Sequence, residues 1–210
     1  MIRNVNSNDL NEIAKLHMES FEDHFLPKLG LKLLAKYYKE FINKKNIFIA
    51  NVNENNKIDG LLLGTPNSEK YRNLFVRNNI IGLSFRISLL CLKLDYDTWT
   101  RVFGCFRTVF HKKNKRVRTS SKNDIKPFCL LSICVSQDSK GKGVSKDLIE
   151  AFEKKLVNQG YRSYALTVHK NNNRANHFYK KQGMHIYKES ESEYGYMKQL
   201  VNNQNMTTSL

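Results

Sequence analysis

Residues 131–146 read LSICVSQDSKGKGVSK, in which an apolar strand leads through a glycine-containing turn into a helix. The first amides of a helix have no partner within the helix, and together with the helix dipole they favour a phosphate or pyrophosphate. Gly141 and Gly143 let such an anion approach the backbone closely. Three lysines add positive charge beside the turn: Lys140, Lys142 and Lys146. The segment therefore predicts an anion site, and the alternative is an ordinary left-handed turn before a helix.

Two common nucleotide motifs fit this turn poorly. A dinucleotide-binding motif needs a third glycine and an acidic residue at the end of the next strand, and the sequence has neither at the expected position. A P-loop needs Ser or Thr after its Gly-Lys pair, whereas Gly143 follows here. The turn therefore belongs to another class of anion site.

A second segment, residues 168–184, reads VHKNNNRANHFYKKQGM and combines the end of a strand with a helix. Together the two segments resemble the GNAT acyltransferase superfamily, whose patterns are Q/R-x-x-G-x-G/A and V-x-x-x-N-x-x-A-x-x-x-Y-x-x-x-G-F. Five residues of the second segment fall in register: Val168, Asn172, Ala175, Tyr179 and Gly183. In the first segment Lys140 stands where Gln or Arg is usual, and Ser145 stands where Gly or Ala is usual. Neither change removes a backbone donor, so we expect altered cofactor contacts rather than loss of the site.

The resemblance covers about 55 residues closely, from 130 to 184, and implies an α+β fold of the GNAT type. Such a fold has a mixed, mostly antiparallel central sheet of about six to seven strands, splayed at strands 4 and 5 and flanked by helices. Hydrophobic periodicity predicts strands at residues 2–5, 46–52, 57–64, 128–135, 161–169, 185–188 and 194–200. It predicts helices after Asp9 and at residues 31–41, 143–157 and 172–181. We expect a single acyltransferase domain at 1–200 with a helical and basic insertion at about 65–127, and a flexible tail at 201–210.

The same resemblance implies acetyl-CoA as the acyl donor, with no covalent enzyme intermediate. The backbone of the strand ending at Val135 would pair with pantetheine, and the Val135 N–H would stabilise the oxyanion formed when an amine attacks the thioester. Tyr179 would donate a proton to the leaving thiolate; the alternative is a half-buried aromatic residue on a helix face. The cofactor-binding set implied is Ile133, Cys134, Val135, Lys140, Gly141, Lys142, Gly143, Val144, Ser145, Lys146, Asn172, Asn176 and Tyr179. Helix capping alone would also explain Asn172 and Asn176.

A base must take the proton of the acceptor amine, and the sequence does not identify it. Glu22, Asp23 and His24 lie between the first two helices, where this family builds its acceptor site, and His24 can titrate near neutrality. A solvated loop without a catalytic role is the alternative. Cys134, with His169 on the neighbouring strand, can be mistaken for a nucleophile, but a cysteine within an apolar strand is usually inert. The four cysteines lack the spacing of a zinc site, and no metal is expected.

The formal net charge of +16 favours anionic partners. A basic run at 112–118, preceded by aromatic residues, can clamp a phosphate and a base, so we predict an amino-sugar nucleotide as the acceptor. The opening helices also resemble bacterial GNAT proteins of surface-polysaccharide synthesis. A solvated basic loop over a packed helix is the alternative, and peptide or lysine amines remain open as acceptors.

A second functional class stays open, namely a non-catalytic basic module that binds a membrane surface or nucleic acid. Residues 80–94 are apolar but interrupted by Arg86 and Lys93, so they can lie on a membrane without crossing it. The N-terminus has no apolar signal core, which predicts a cytoplasmic enzyme. A homodimer through the closing strands or the insertion is also open.

Overall fold

The computed structural model describes residues 1–22, 24–93 and 127–200. The chain divides into two compact units, the first comprising Met1–Phe75 with Lys126–Leu210 and the second comprising Val76–Ile125. The predicted basic run at 112–118 and the predicted tail at 201–210 lie outside the described residues. Within the described residues, no helix has the length and apolar character needed to cross a membrane.

The strands lie close to where hydrophobic periodicity places them. They are β1 (Ile2–Asn4), β2 (Ile47–Val52), β3 (Ile58–Thr65), β4 (Phe128–Val135), β5 (Ser163–His169), β6 (His185–Glu189) and β7 (Glu193–Gln199). The helices are α1 (Leu10–Ser20), α2 (Phe25–Lys28), α3 (Leu31–Lys39), α4 (Ser68–Asn78), α5 (Ile80–Lys93), α6 (Val144–Asn158) and α7 (Asn173–Lys181). Two 3₁₀ turns cover Ser7–Asp9 and Gln137–Ser139.

One seven-stranded sheet organises the first unit, in the order β1-β2-β3-β4-β5-β7-β6. Every neighbouring pair is antiparallel except β4 and β5, which are parallel. This mixed sheet with flanking helices confirms the predicted fold class.

Helices cover both faces of the sheet, which explains why β3 is buried along its whole length. On one face, α1 and α3 pack against Leu61 and Leu63. On the other face, α6 packs against Leu62, while Gly64 of β3 leaves room for the ring of Phe152. A Cβ at Gly64 would lie 2.5 Å from that ring, so the small residue allows the helix to sit close to the sheet.

A β-bulge interrupts the pairing of β3 with β4. Leu63 opposes Ser132 and Gly64 opposes Leu130, so Leu131 is the extra residue. The bulge changes which face each side chain takes, because Leu131 packs on the α1 side while Ile133, two residues later, packs on the α6 side. Periodicity in the sequence predicted a continuous strand here and did not reveal the bulge.

One connecting segment differs from the sequence prediction, and another agrees with it. The segment after the first helix was predicted as a loop, but residues Phe25–Lys28 form the short helix α2. Between β3 and β4 the described residues form α4 and α5, consistent with the one or two helices expected at the start of the insertion. The extent of the insertion, about 65–127, stays a prediction.

Candidate functional site

The parallel strands β4 and β5 separate soon after they begin to pair. Along these two fully described strands the paired residues are Phe128 with Tyr164 and Cys129 with Ala165. A cavity of about 880 Å³ opens beyond this point. It is lined by β4, β5, the turn at Ser139–Lys146, α7 and the segment joining α1 to α3. The sheet is therefore open where the sequence predicted a splay.

The register of β4 shows which of its backbone groups face this gap. Ser136 N–H donates to the carbonyl oxygen of Asp59 at 2.7 Å, so this pair is one of the hydrogen-bonded pairs of the antiparallel ladder. Such pairs alternate along a ladder, and Cys134 therefore shares its backbone bonds with Leu61. The N–H groups of Ile133 and Val135 turn away from β3, toward β5. These two amides fit an extended amide-containing ligand, whereas the backbone of Cys134, also predicted to bind cofactor, faces β3.

The turn after β4 has the open geometry expected of an anion site. Gly141 and Gly143 have φ angles of +82° and +87°, in the left-handed region that favours glycine, and a Cβ at either position would meet nothing within 4 Å. Val144 and Ser145 begin α6, where no earlier helical carbonyl can accept their amide hydrogens. Lys146 differs, since its amide donates to Gly143 at 2.8 Å and only its ammonium group remains for an anion.

All three lysines of the predicted site are exposed: Lys140, Lys142 and Lys146. The Lys140 ammonium donates to the side-chain oxygen of Gln137, and Lys146 lies 3.5 Å from Glu150. Exposed pairs of this kind are weak, so both ammonium groups can be redirected to a bound phosphate. The turn thus combines outward amides with mobile positive charge.

Tyr179 lies on α7 and lines the same cavity. Its side chain is 6% exposed, and burial raises the pKa of Tyr179 well above its ordinary value. The phenol is therefore protonated at neutral pH, as a proton donor must be. Asn172, about two turns earlier, accepts from the amide of Ala175 at 3.1 Å and caps the helix while also lining the cavity.

Asn176 forms hydrogen bonds within the protein, and its predicted contact with the cofactor stays a prediction. Its amide nitrogen donates to the carbonyl oxygens of His169 at 3.0 Å and Lys170 at 3.1 Å. Its carbonyl oxygen accepts from the Tyr196 hydroxyl at 3.1 Å. Because both amide hydrogens are used and the residue is 7% exposed, Asn176 ties α7 to the end of β5 and to β7.

His24 also lines the cavity, lies just before α2 and is exposed. Its ring centroid is 5.2 Å from that of Phe21 and 6.4 Å from that of His169, the last residue of β5. His169 Nδ1 in turn lies 3.8 Å from a carboxylate oxygen of Glu193. His24 was predicted from the sequence as a candidate base, whereas His169 was named there only as a neighbour of Cys134. Asp23 lies outside the described residues, and Glu22 is exposed.

His17, a buried residue of α1, also lines the cavity, although no sequence motif includes it. Its Nδ1 is 2.6 Å from the Tyr38 hydroxyl. Its Nε2 is buried without a hydrogen-bond partner among the described residues. Desolvation, with a smaller contribution from His24, lowers the pKa of His17 to about 4, so the imidazole is neutral at physiological pH. A polar residue on the buried face of α1 was the available signal.

The cysteine thiols of β4 are unsuited to nucleophilic catalysis. Burial raises the pKa of Cys134 to about 12, and it also raises that of Cys129. Both are free thiols, and Cys134 packs in the core beneath α1 and α3. The interpretation of Cys134 as a small hydrophobic residue is confirmed. Within 1–22, 24–93 and 127–200, no three His, Cys, Asp or Glu side chains group so as to hold a metal ion.

Comparison with known families and structures agrees with this geometry. The model of the acetyltransferase (GNAT) family matches residues 108–184, which include β4, the turn, α6, β5 and α7. This match covers 77 of the 210 residues, in the part of the chain that carries the gap and the glycine turn. Proteins of the GNAT family use acetyl-CoA, so this match and the fold support an acyl-CoA-dependent N-acyltransferase.

Solved structures with the same fold are distant in sequence. Ard1 from Thermoplasma volcanium is 16% identical, with a TM-score of 0.56, and the match covers 96% of this chain and 98% of that one. PaiA N-acetyltransferase from Thermoplasma acidophilum, solved in complex with coenzyme A, is 14% identical with a TM-score of 0.57 and coverages of 95% and 98%. The ribosomal-protein-S18-alanine N-acetyltransferase from Escherichia coli is 12% identical with a TM-score of 0.54 and coverages of 98% and 97%. A search of curated protein sequences gives no significant match.

Proposed function

We propose that this protein transfers an acetyl group from acetyl-CoA to a primary amine while both substrates are bound. The observation that supports this most strongly is the gap between β4 and β5 beyond Cys129 and Ala165. The gap leads from two free strand amides to the glycine turn at the start of α6. A continuous parallel pair would leave no room for a cofactor between these strands.

The residues present fit acetyl-CoA. The Val144 and Ser145 amides with Gly141, Gly143 and the nearby lysines would hold its diphosphate, and the Ile133 and Val135 amides would hold its pantetheine chain. Bound acetyl-CoA supplies the acetyl group as a reactive thioester. We assign to the Val135 N–H the stabilisation of negative charge on the reacting carbonyl oxygen, an effect typically of about 3 kcal/mol.

Proton transfer requires one group to release a proton and another to accept one. Tyr179 Oη holds a proton at neutral pH because burial raises the pKa of the phenol, and we assign it as the donor to the coenzyme A sulfur. His24 stays our proposed base for the acceptor amine. Its position supports this role, because it lines the cavity and its ring centroid lies 6.4 Å from that of His169. The amine then loses one proton and the coenzyme A thiol gains one.

An amino-sugar nucleotide remains the acceptor we propose. Its support is the net charge of +16 and the cationic side chains that line the cavity beside the turn, which include Lys140, Lys146, Arg174 and Lys181. A peptide amine is the competing acceptor, since one of the similar structures is a ribosomal-protein-S18-alanine N-acetyltransferase. The basic run predicted to clamp a phosphate lies outside the described residues.

Release of free thiol from acetyl-CoA tests the proposal directly. The purified chain is mixed with acetyl-CoA and with either amino-sugar nucleotides or a set of peptides with free N-termini. Thiol release that depends on the added amine supports the enzyme, and the productive set identifies the acceptor class. Acetyl-CoA binding without amine-dependent release in any set would contradict transfer, and salt-sensitive binding to anionic vesicles or nucleic acid would then favour the non-catalytic module.

A further inference from the structure

A buried carboxylate of β3 forms a hydrogen bond to the residue that precedes the glycine turn. Asp59 is 6% exposed, and one of its carboxylate oxygens accepts from the Ser139 hydroxyl at 2.6 Å. The other carboxylate oxygen accepts from the side-chain amide of Asn51 at 2.7 Å. The Asp59 carbonyl oxygen accepts from the Ser136 amide at 2.7 Å. Asp59 therefore holds the segment 136–139 at two points, one through backbone and one through side chain.

The next residue of β3 controls the other side of the turn. A Cβ at Gly60 would lie 2.8 Å from Val144 and 3.1 Å from Leu148, both on the first turns of α6. Glycine at this position lets the start of α6 sit directly on the sheet. Asp59 thus fixes the position of the segment before the turn. Gly60 fixes how closely the helix after the turn lies against the sheet.

We propose that the Asp59–Ser139 hydrogen bond is a positioning contact that holds the turn amides in the orientation needed for the diphosphate of acyl-CoA. Ser139 is 8% exposed, and its carbonyl oxygen accepts from the Lys142 amide at 3.3 Å, so its placement sets the start of the glycine segment. The glycines themselves supply little restraint, because they tolerate many backbone conformations. Restraint must therefore come from outside the turn, and Ser139 provides it.

This role rests on the proposed use of acyl-CoA. It differs from a purely structural role in its effect on two classes of ligand, those with a diphosphate and those without one. A contact that positions the turn amides affects only ligands that bind to those amides. Loss of the bond should weaken ligands that carry a diphosphate and spare ligands that reach only the strand amides of Ile133 and Val135. General loosening of the fold would weaken both classes equally.

The test is calorimetric binding of acetyl-CoA, 3′-dephospho-CoA and S-acetylpantetheine to the full-length wild type and to Ser139→Ala. We expect the variant to bind the first two ligands about tenfold more weakly, because both contain the diphosphate, and to bind S-acetylpantetheine within about twofold of wild type. Retained binding of S-acetylpantetheine also shows that the variant is folded. Asn51→Ala is the matched control, since it removes the other side-chain bond to Asp59 without touching the turn.

Several results would overturn the positioning role. One is equal weakening of all three ligands, another is unchanged binding of acetyl-CoA by Ser139→Ala, and a third is an equal loss of acetyl-CoA affinity in Asn51→Ala. Failure of the wild type to bind acetyl-CoA would instead overturn the proposed function, and the positioning role with it.

Discussion

Cys129 and Ala165 form the last pair between the two parallel strands at the centre of the sheet. Leu131, the bulged residue of β4, follows two positions later and falls where β4 has left its partner. Bulges bend and twist the strand that carries them, so the bulge accounts for the divergence of β4 from β5. The opening that results is the feature on which the acyl-CoA site depends.

Filling this gap should abolish cofactor binding without unfolding the protein. Thr167 of β5 is exposed and lines the cavity, so Thr167→Trp places a large ring in the opening without disturbing the core. We expect acetyl-CoA affinity to fall at least about a hundredfold and the melting temperature to change little. Thr167→Ser is the control and should bind normally. Normal binding by the tryptophan variant would place the cofactor elsewhere.

Tyr179→Phe should slow turnover while sparing the cofactor. Removing a general acid typically lowers kcat by about a hundredfold to ten-thousandfold, and the phenyl ring keeps the packing of α7. Initial rates and acetyl-CoA titration on the same preparation separate the two effects. Tyr194→Phe, a partly exposed tyrosine of β7, is the matched control and should retain wild-type kcat. A Tyr179→Phe enzyme with unchanged kcat would exclude the tyrosine as proton donor.

The two histidines at the cavity mouth should act on the amine rather than on acetyl-CoA. If His24 is the base and His169 supports it across the 6.4 Å between their rings, His24→Gln should lower kcat/KM for the amine about a hundredfold. His169→Gln should cost less, and the double variant should cost less than the sum of both effects. His185→Gln, an exposed histidine of β6, is the control. If these variants lost acetyl-CoA affinity as strongly as they lost kcat/KM for the amine, the two histidines would not act specifically on the acceptor.

Stability should fall in acid because of His17. Burial lowers its pKa from 6.5 to about 4, so the unfolded chain binds more protons than the folded chain between these values. The contribution of His17 is complete above about pH 6.5 and is lost as the pH falls toward 4, and it amounts to at most about 3 kcal/mol.

Denaturant unfolding at about pH 7 and about pH 4.5 measures this loss for the wild type. His17→Gln keeps a hydrogen-bonding side chain near Tyr38 without a titratable ring, so the difference between the two pH values should shrink. His177→Gln changes an exposed histidine and should leave the difference intact. An unchanged pH difference in His17→Gln would show that the imidazole does not carry it.

Asn176→Leu should destabilise the fold rather than weaken the cofactor. The change leaves the carbonyl oxygens of His169 and Lys170 and the hydroxyl of Tyr196 without their partner, a loss of about 2 to 4 kcal/mol in the free energy of unfolding. Asn173→Ala, an exposed change one turn earlier, should lower stability by no more than about 1 kcal/mol. Acetyl-CoA affinity of the folded protein should be unchanged in both. A selective loss of affinity in Asn176→Leu would support the predicted cofactor contact.

Sequence reasoning located the strands and the glycine-containing turn well because their signals are local. The apolar run predicted at 128–135 is observed as Phe128–Val135, and the helix predicted at 143–157 is observed as Val144–Asn158. Alternating or continuous apolar residues and glycine-containing turns act over a few positions, so a short window contains the information. The assignments of Ile133 and Val135 also agree with the register of β4, since both amides face the gap.

Contacts between distant segments could not be predicted in this way. Asp59 and Ser139 are separated by 80 residues, and their hydrogen bond depends on the register of β3 against β4. The meeting of His24 with His169 depends on how the segment after α1 folds over the end of β5. Asn176 shows the same limit, because its place in the motif was clear while its partners lie on two other strands.

The sequence alone determined the order of strands and helices, the position of the glycine-containing turn and the resemblance to an acyltransferase, because each follows from short-range backbone preferences and spacing. The folded molecule added the width of the opening between β4 and β5, the orientation of each amide within it and the buried contacts that hold the turn. These features follow from strand register and from one extra residue at Leu131, and register is fixed only when remote apolar faces pack together.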